Sequence, residues 1–292
     1  MAKKPSPAPA SAEPVIVNPR WLAIAVALTL LLAALCGYGA LCLLFYQGQW
    51  QLLYHPSRTL STTPADEGMR FDDVHFDVNS AGQSQLDGWW IPASPAAPYP
   101  SVTILFLHDA HGSLSDCNPA LATLHTAGVN VFAFDYRGFG RSAGSHPTER
   151  LATADALAAW TYLTDLRHIP PRSLIVYGDG VGATFAAHVA ARFAPAGIIL
   201  QDPNRSARQI FLTDARARIV PLWLLQTENL DPTADLAATH IPRLFLDIHG
   251  DSARTRTLFA ASSYPKQYVD LRFAPETTVL TAVRRFLDDV LH

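Results

Sequence analysis

The dominant pattern along the chain is an unbroken apolar run. From Trp21 to Tyr46 there is no charged residue, and nearly every position is Leu, Ala, Val, Ile, Phe, Tyr, Trp or Cys. At a rise of ~1.5 Å per residue the run is long enough for a hydrocarbon core of ~30 Å. It predicts a transmembrane helix over residues 21–46. A cleaved signal peptide is the competing reading, with Gly37 and Gly39 as a loose small-x-small site, but its apolar region normally runs only ~7 to 15 residues. After Asp66 the pattern changes to short apolar runs alternating with longer amphipathic ones. Strands are predicted over 71–78, 85–91, 102–108, 130–136, 173–178, 197–201, 243–249 and 267–273, and helices over 118–126, 148–166, 181–193 and 277–291. The runs starting at Val102 and Leu244 are almost continuously apolar, as strands covered on both faces should be. Such alternation predicts a mostly parallel sheet with helices on both sides. In such sheets ligands bind beyond the carboxyl ends of the strands, so the chemistry is sought in the loops that follow them.

Composition sharpens this outline. The 292 residues are 49% hydrophobic and only 16% charged, against roughly 25% charged for an ordinary soluble domain, which excludes a mainly disordered chain. Lys and Arg number 22 and Asp and Glu 25, so no basic field exists to hold nucleic acid. Cys36 and Cys42 lie in the apolar run and only Cys117 lies outside it, so no disulfide framework is expected. Lys3, Lys4 and Arg20 precede the run and only Arg58 follows closely, which predicts a cytoplasmic N-terminus and an extracytoplasmic C-terminal domain, periplasmic in a bacterium. Cleavage of the run would export the domain as well. The expected organisation is a disordered, proline-rich tail over 1–20, the membrane helix over 21–46, a linker over 47–70 and one domain over 71–292.

Four stretches carry a resemblance. Phe106-Leu107-His108-Asp109-Ala110-His111-Gly112-Ser113 resembles the His-Gly-Asn-Ala-Gly-Asn oxyanion loop of membrane-anchored α/β-hydrolases. Asp135-Tyr136-Arg137-Gly138-Phe139-Gly140-Arg141-Ser142-Ala143-Gly144 is similar to their signature Asp-Tyr-Arg-Gly-Tyr-Gly-x-Ser-x-Gly. Val176-Tyr177-Gly178-Asp179-Gly180-Val181-Gly182-Ala183 resembles the nucleophile elbow Gly-x-Ser-x-Gly, and Tyr54-His55-Pro56 resembles a Tyr-x-Pro segment that follows the membrane helix in that family. The resemblance implies an α/β-hydrolase fold without a large cap, residues 204–240 forming a short helical stretch and leaving the site open. It also implies a serine, an aspartate and a histidine as catalytic triad, and none of the three is present. Gly180 stands at the serine position, Ala253 at the aspartate position of His-Gly-x-x-Asp, and Glu276 at the histidine position. No histidine occurs between His249 and His292. A register slip that makes Asp179 the nucleophile would put Tyr177 and Val181 where a crowded turn needs small residues.

The expected protein is therefore a membrane-anchored hydrolase scaffold without serine-hydrolase activity, acting through an unidentified small ligand or protein partner, with the membrane as a further partner and no cofactor. The oxyanion-loop region is His108, Asp109, Ala110 and His111 together with Asp179 and Val181. The alternative is a hydrolase using a relocated site around Asp109, His111 and Asp179, or a metal held by His108, Asp109 and His111, although that ligand spacing is not a specific zinc signature. Asp135 and Arg137 read as architectural, and His188, Trp89, Trp90 and Trp223 as packing or surface residues. Arg205, Arg208, Arg216 and Arg218, interspersed with Asp202, Asp214 and Glu228, read as a mixed solvated face. If substitution alone empties the site, the triple change Gly180→Ser, Ala253→Asp and Glu276→His should restore weak esterase activity.

Overall fold

The protein was analysed as a computed structural model, which describes residues 18–78, 85–249, 252–273 and 277–291. The reading of residues 1–17 as a disordered tail, and of Glu276 as the former histidine position, falls outside the described residues. Eight strands form one sheet: β1 Asp72–Asp77, β2 Gln85–Ile91, β3 Thr103–Leu107, β4 Asn130–Phe134, β5 Leu174–Asp179, β6 Gly197–Gln201, β7 Arg243–Asp247 and β8 Lys266–Asp270. Their order is β1-β2-β4-β3-β5-β6-β7-β8. β2 runs antiparallel to β1 and β4, and the other neighbours are parallel. A long helix, α1 Pro19–Gly48, precedes the sheet and exposes nearly all of its surface. It is long and apolar enough to cross a membrane.

The side chains of β3 and β5 divide between two cores, as the period of two along a strand requires. Ile104, Phe106, Ile175 and Tyr177 face α2 Asn118–Ala127 and, from the chain's end, Thr277–Leu291, through Leu121, Leu124, Val283 and Phe286. Leu105, Leu107, Val176 and Leu200 face α3 Glu149–Thr161 and α4 Gly182–Phe193 through Ala156, Trp160, Phe185 and Val189. Between β6 and β7 stand only short helices, α5 Ala207–Phe211, α6 Leu222–Leu225 and α7 Thr233–Ala238, and no large cap. After β7 comes α8 Ser252–Ala261, which the polar run of its sequence does not announce, and α9 Thr277–Leu291 closes the chain.

Two expectations change. The helix predicted over 148–166 is α-helical to Thr161 and finishes as a π turn over Tyr162–Leu166. Residues 47–70 do not hang as a free linker. Leu53 and Tyr54 are buried, His55–Pro56 pairs with His111–Gly112, and Arg58 Nη1 donates to the Ser142 carbonyl at 2.6 Å. An apolar Leu-Tyr pair beside the sheet is driven into the core even without regular secondary structure.

The Asp135 to Gly144 signature is architectural, as expected. Asp135 Oδ1 accepts from Leu114 N–H at 3.0 Å and so holds the loop after β3, while Arg137 donates through N–H and Nε to Asp155 on α3 at 2.8 and 2.6 Å. Burial pushes the Asp155 carboxyl up to about 6, opposed by hydrogen bonds and the charge of Arg137. Removing one member of such a pair strands the other. Asp155→Ala is expected to cost about 3 kcal/mol or more of stability, measured by denaturant unfolding of the detergent-solubilised chain.

Candidate functional site

The turn between β5 and α4 has the backbone of a nucleophile elbow. Gly180 sits at its centre with φ +57°, a left-handed conformation that L side chains rarely adopt without support. A Cβ at Gly178 would run into the Gly182 backbone, and a Cβ at Gly182 would run into the Leu107 carbonyl. These two positions admit only glycine, because the start of α4 presses against β5 at Gly178 and against the end of β3 at Gly182. Tyr177 is buried within β5, so the register centres on Gly180 and not on Asp179.

The space beside Gly180 is filled by Asp109. A Cβ at Gly180 would overlap Asp109 Oδ1 and Cγ, and would come within 2.9 Å of Asp109 Cβ. Asp109 Oδ1 accepts from the Val181 N–H at 2.9 Å and from Asn204 Nδ2 at 3.0 Å, and Oδ2 lies 3.2 Å from His111 Nδ1. The N–H after the nucleophile position, with one from the loop after β3, forms the oxyanion hole of an elbow site. The first of these is engaged by the Asp109 carboxylate. Burial disfavours its charge, but the hydrogen bonds from His111, Val181 and Ala110 prevail and hold the Asp109 carboxyl below the usual carboxylate range. The loop that this stretch resembles has glycine at the position of Asp109. Serine to glycine at 180 and glycine to aspartate at 109 are thus complementary: one side chain occupies the volume that the other would have used.

The remaining candidates divide between this site and the core. Asp179 lines a solvent-open hollow of about 340 Å³ with Asp109, Gly180, Gln201, Asp202, Asn204, Arg205 and His249. Burial, together with the charges of Asp109 and Asp202, pushes the Asp179 carboxyl up to about 7, against the hydrogen bond at 3.0 Å from Gln201 Nε2. His111 is exposed, stacks on His55 at 4.8 Å, and has its pKa raised by the hydrogen bond to Asp109. His108 turns the other way. It is fully buried against Tyr136 and Phe139, its Nδ1 is 2.7 Å from the Asp109 carbonyl, and burial drops its pKa to about 4. It cannot join Asp109 and His111 around a metal ion, so that ligand set is corrected, and no cluster of three such ligands occurs among the described residues.

Ala253 is exposed in the first turn of α8 and lines a neighbouring hollow with Arg205, Gln209, Arg254 and Thr257. Asn204, Gln201 and Asp202 belong to the site although the motifs did not mark them, and so does His249, which the His-Gly-x-x-Asp motif contained without giving it a role. Their signal was positional, since all four follow or end β6 or β7 at its carboxyl end. Trp89 is core, Trp90 stacks under Arg167 at 4.1 Å, His188 lies on the surface 3.3 Å from Asp235, and Trp223 is exposed. Arg216 pairs with Asp214 at 2.8 Å, whereas Glu228 is buried beneath Tyr54 and leaves that mixed face. A larger hollow, about 770 Å³, is separate and lies between Phe76, Leu157, Tyr162 and Phe193.

The strand order, the elbow and the oxyanion loop together define an α/β-hydrolase. Residues 98–252 match the family described as serine aminopeptidase, S33, and the chain belongs to that family. It is similar to an uncharacterized protein of Mycobacterium tuberculosis, 27% identical over 270 residues that make up 88% of this chain and 93% of that one. It is also similar to human alpha/beta hydrolase domain-containing protein 17B, 33% identical over 142 residues, 48% of each chain. In structure it resembles the esterase Pf2001 of Pyrococcus furiosus, with a TM-score of 0.62 and 18% identity over 81% of this chain and 98% of that one.

The elevated Asp179 pKa has a consequence for stability. Its folded-state value of about 7 exceeds the ordinary 3.8, so the fold holds a proton there that the unfolded chain releases above pH 4. That contribution is complete below pH 4, declines as pH rises from there, and is gone once pH has passed through about 7. Asn mimics the protonated carboxyl and never ionises. Asp179→Asn should leave Tm nearly unchanged at pH 3.5 and raise it by roughly a few degrees or more at pH 8, measured by thermal unfolding at both pH values.

Proposed function

We propose that this domain has given up serine-hydrolase chemistry and acts by binding, with the open hollow over Gly180 as its ligand or partner site and α1 as its membrane anchor. The observation that carries this reading is the Asp109 carboxylate on the Val181 N–H, in the volume of the missing nucleophile. An acyl-transfer intermediate needs that N–H for its own oxyanion. A second negative charge ~4 Å from an ionised Asp109 would cost about 4 kcal/mol at an effective dielectric constant near 20, roughly a thousandfold in rate. That penalty comes on top of the absent nucleophile, and loss of the nucleophile or base of a triad alone removes about a million-fold. Once one member is gone, little holds the others in place, which accounts for substitution at all three positions. The anchored domain is read as extracytoplasmic from the charge bias around α1.

A second reading keeps an enzyme, with His111 and Asp109 as a paired base and Asp179 as an acid near pKa 7 in the same hollow. It lacks a nucleophile, and its aspartate is already engaged in the oxyanion hole.

The restoration expected from the sequence alone now needs a fourth change, because a serine at 180 would collide with Asp109. A fluorophosphonate probe should leave the native chain and the triple variant Gly180→Ser, Ala253→Asp, Glu276→His unlabelled. Adding Asp109→Gly should produce labelling and slow turnover of short acyl esters. Ester turnover by the native chain that disappears in His111→Ala or Asp179→Asn would overturn the binding reading in favour of the relocated site.

A further inference from the structure

The short helices after β6 are not merely a lid over the sheet. Ile219, Trp223 and Leu224 are 62%, 82% and 65% exposed, within the uncharged run Ile219-Val220-Pro221-Leu222-Trp223-Leu224-Leu225. Exposed large apolar side chains elsewhere on the domain, such as Leu166 and Tyr264, stand singly. This cluster lies directly against α1. Tyr38 Oη donates to the Ile219 carbonyl at 3.2 Å, Phe45 packs edge-on to Phe211 at 5.6 Å, and buried Gln49 ties the end of α1 to this segment by donating to the Leu225 carbonyl at 3.1 Å and accepting from Thr227 N–H at 3.0 Å.

The position of Tyr38 along α1 sets the depth. Trp21 to Tyr38 covers about 26 Å of helix, and the whole run to Tyr46 about 38 Å, against ~30 Å of hydrocarbon. The last ~8 Å of the run therefore lies at headgroup level, and the carbonyl held by Tyr38 lies near its inner boundary. Trp is the residue type that favours this layer, and Arg216 and Arg218 immediately precede the apolar run, as cations at the headgroup level do.

We propose that residues 219–225 form a second membrane contact, with Ile219, Trp223 and Leu224 seated in the interfacial layer of the same leaflet that α1 leaves. The proposal rests on α1 spanning the bilayer. Its occupant is lipid, because the exposed apolar cluster is held against the exposed apolar helix α1 by the Tyr38 and Gln49 hydrogen bonds. The segment follows the carboxyl end of β6, whose Gln201, together with Asn204, also lines the hollow over Gly180. The binding site and the membrane contact thus share one end of the sheet, and the hollow is held at a fixed orientation to the bilayer.

The test uses the full chain in phosphatidylcholine and phosphatidylglycerol vesicles, with its native cysteines replaced by alanine and a single environment-sensitive fluorophore at Trp223→Cys. Leu166→Cys, at the opposite end of the sheet just before β5, is the control. Doxyl-labelled lipid should quench the label at 223 several-fold more than the label at 166, and iodide should do the reverse. In a chain that keeps only Cys36 of its native cysteines (Cys42→Ala, Cys117→Ala), Cys36 within α1 reports the span itself through its reaction with a membrane-impermeant maleimide. A label at 223 that iodide quenches while Cys36 stays protected overturns the second contact and leaves the span intact. Reaction at Cys36 as well overturns both. A label at 223 shielded from iodide and from doxyl lipid alike means that another copy of the chain covers the cluster, and this also overturns the proposal.

Discussion

The hydrogen bond from Val181 N–H to Asp109 Oδ1 determines what the rest of the site is able to do. It requires glycine at 180, because any side chain there would occupy the same space as the carboxylate. It requires the loop after β3 to lie close over the elbow, which the Asp135 bond to Leu114 and the Gly182 contact with the Leu107 carbonyl enforce. It also sets the charge pattern of the hollow. Burial raises the neighbouring Asp179, and the carboxylate kept ionised at 109, together with Asp202, raises it further. The machinery for stabilising an oxyanion is present, and the protein itself supplies the anion.

The scaffold around this point has been retained with little change. Glycines 178 and 182 still satisfy the crowding of α4 against β5 and β3, and the Asp135 to Gly144 signature still connects the oxyanion loop, the sheet and α3. His108, which the loop motif made a candidate ligand, contributes packing: a neutral imidazole 3.6 Å from Asp135, whose own carboxyl burial pushes up to about 7. Stability and chemistry place separate demands on these residues, and the proposed loss of serine-hydrolase chemistry leaves the first demand untouched.

The sheet was legible in the sequence because its central strands are buried on both faces and read as continuous apolar runs, as at Val102 and Leu244. Strand ends were less legible: His108 and Tyr136 continue the apolar or aromatic run after the ladder has stopped. α8 escaped notice because Ser252–Ala261 turns only Thr255 and Leu258 fully inward, too few for a periodic signal. The glycine at the centre of the elbow was visible from motif spacing alone. What filled the empty place was not, since the direction of the Asp109 side chain depends on contacts with Val181 and Asn204, which come from 72 and 95 residues away in the chain. The packing of residues 47–70 was hidden for a similar reason, as Tyr54 finds Glu228 only in the folded protein.

The account is tested most directly at the Val181 amide. In an NMR titration of the isotopically labelled full chain in lipid nanodiscs, the Val181 N–H resonance should lie downfield. It should titrate with a midpoint below the usual carboxylate range and lose both features in Asp109→Gly. A Val181 amide that is indifferent to pH between 2 and 6 and unchanged by Asp109→Gly would place the carboxylate elsewhere, and the oxyanion hole would be free.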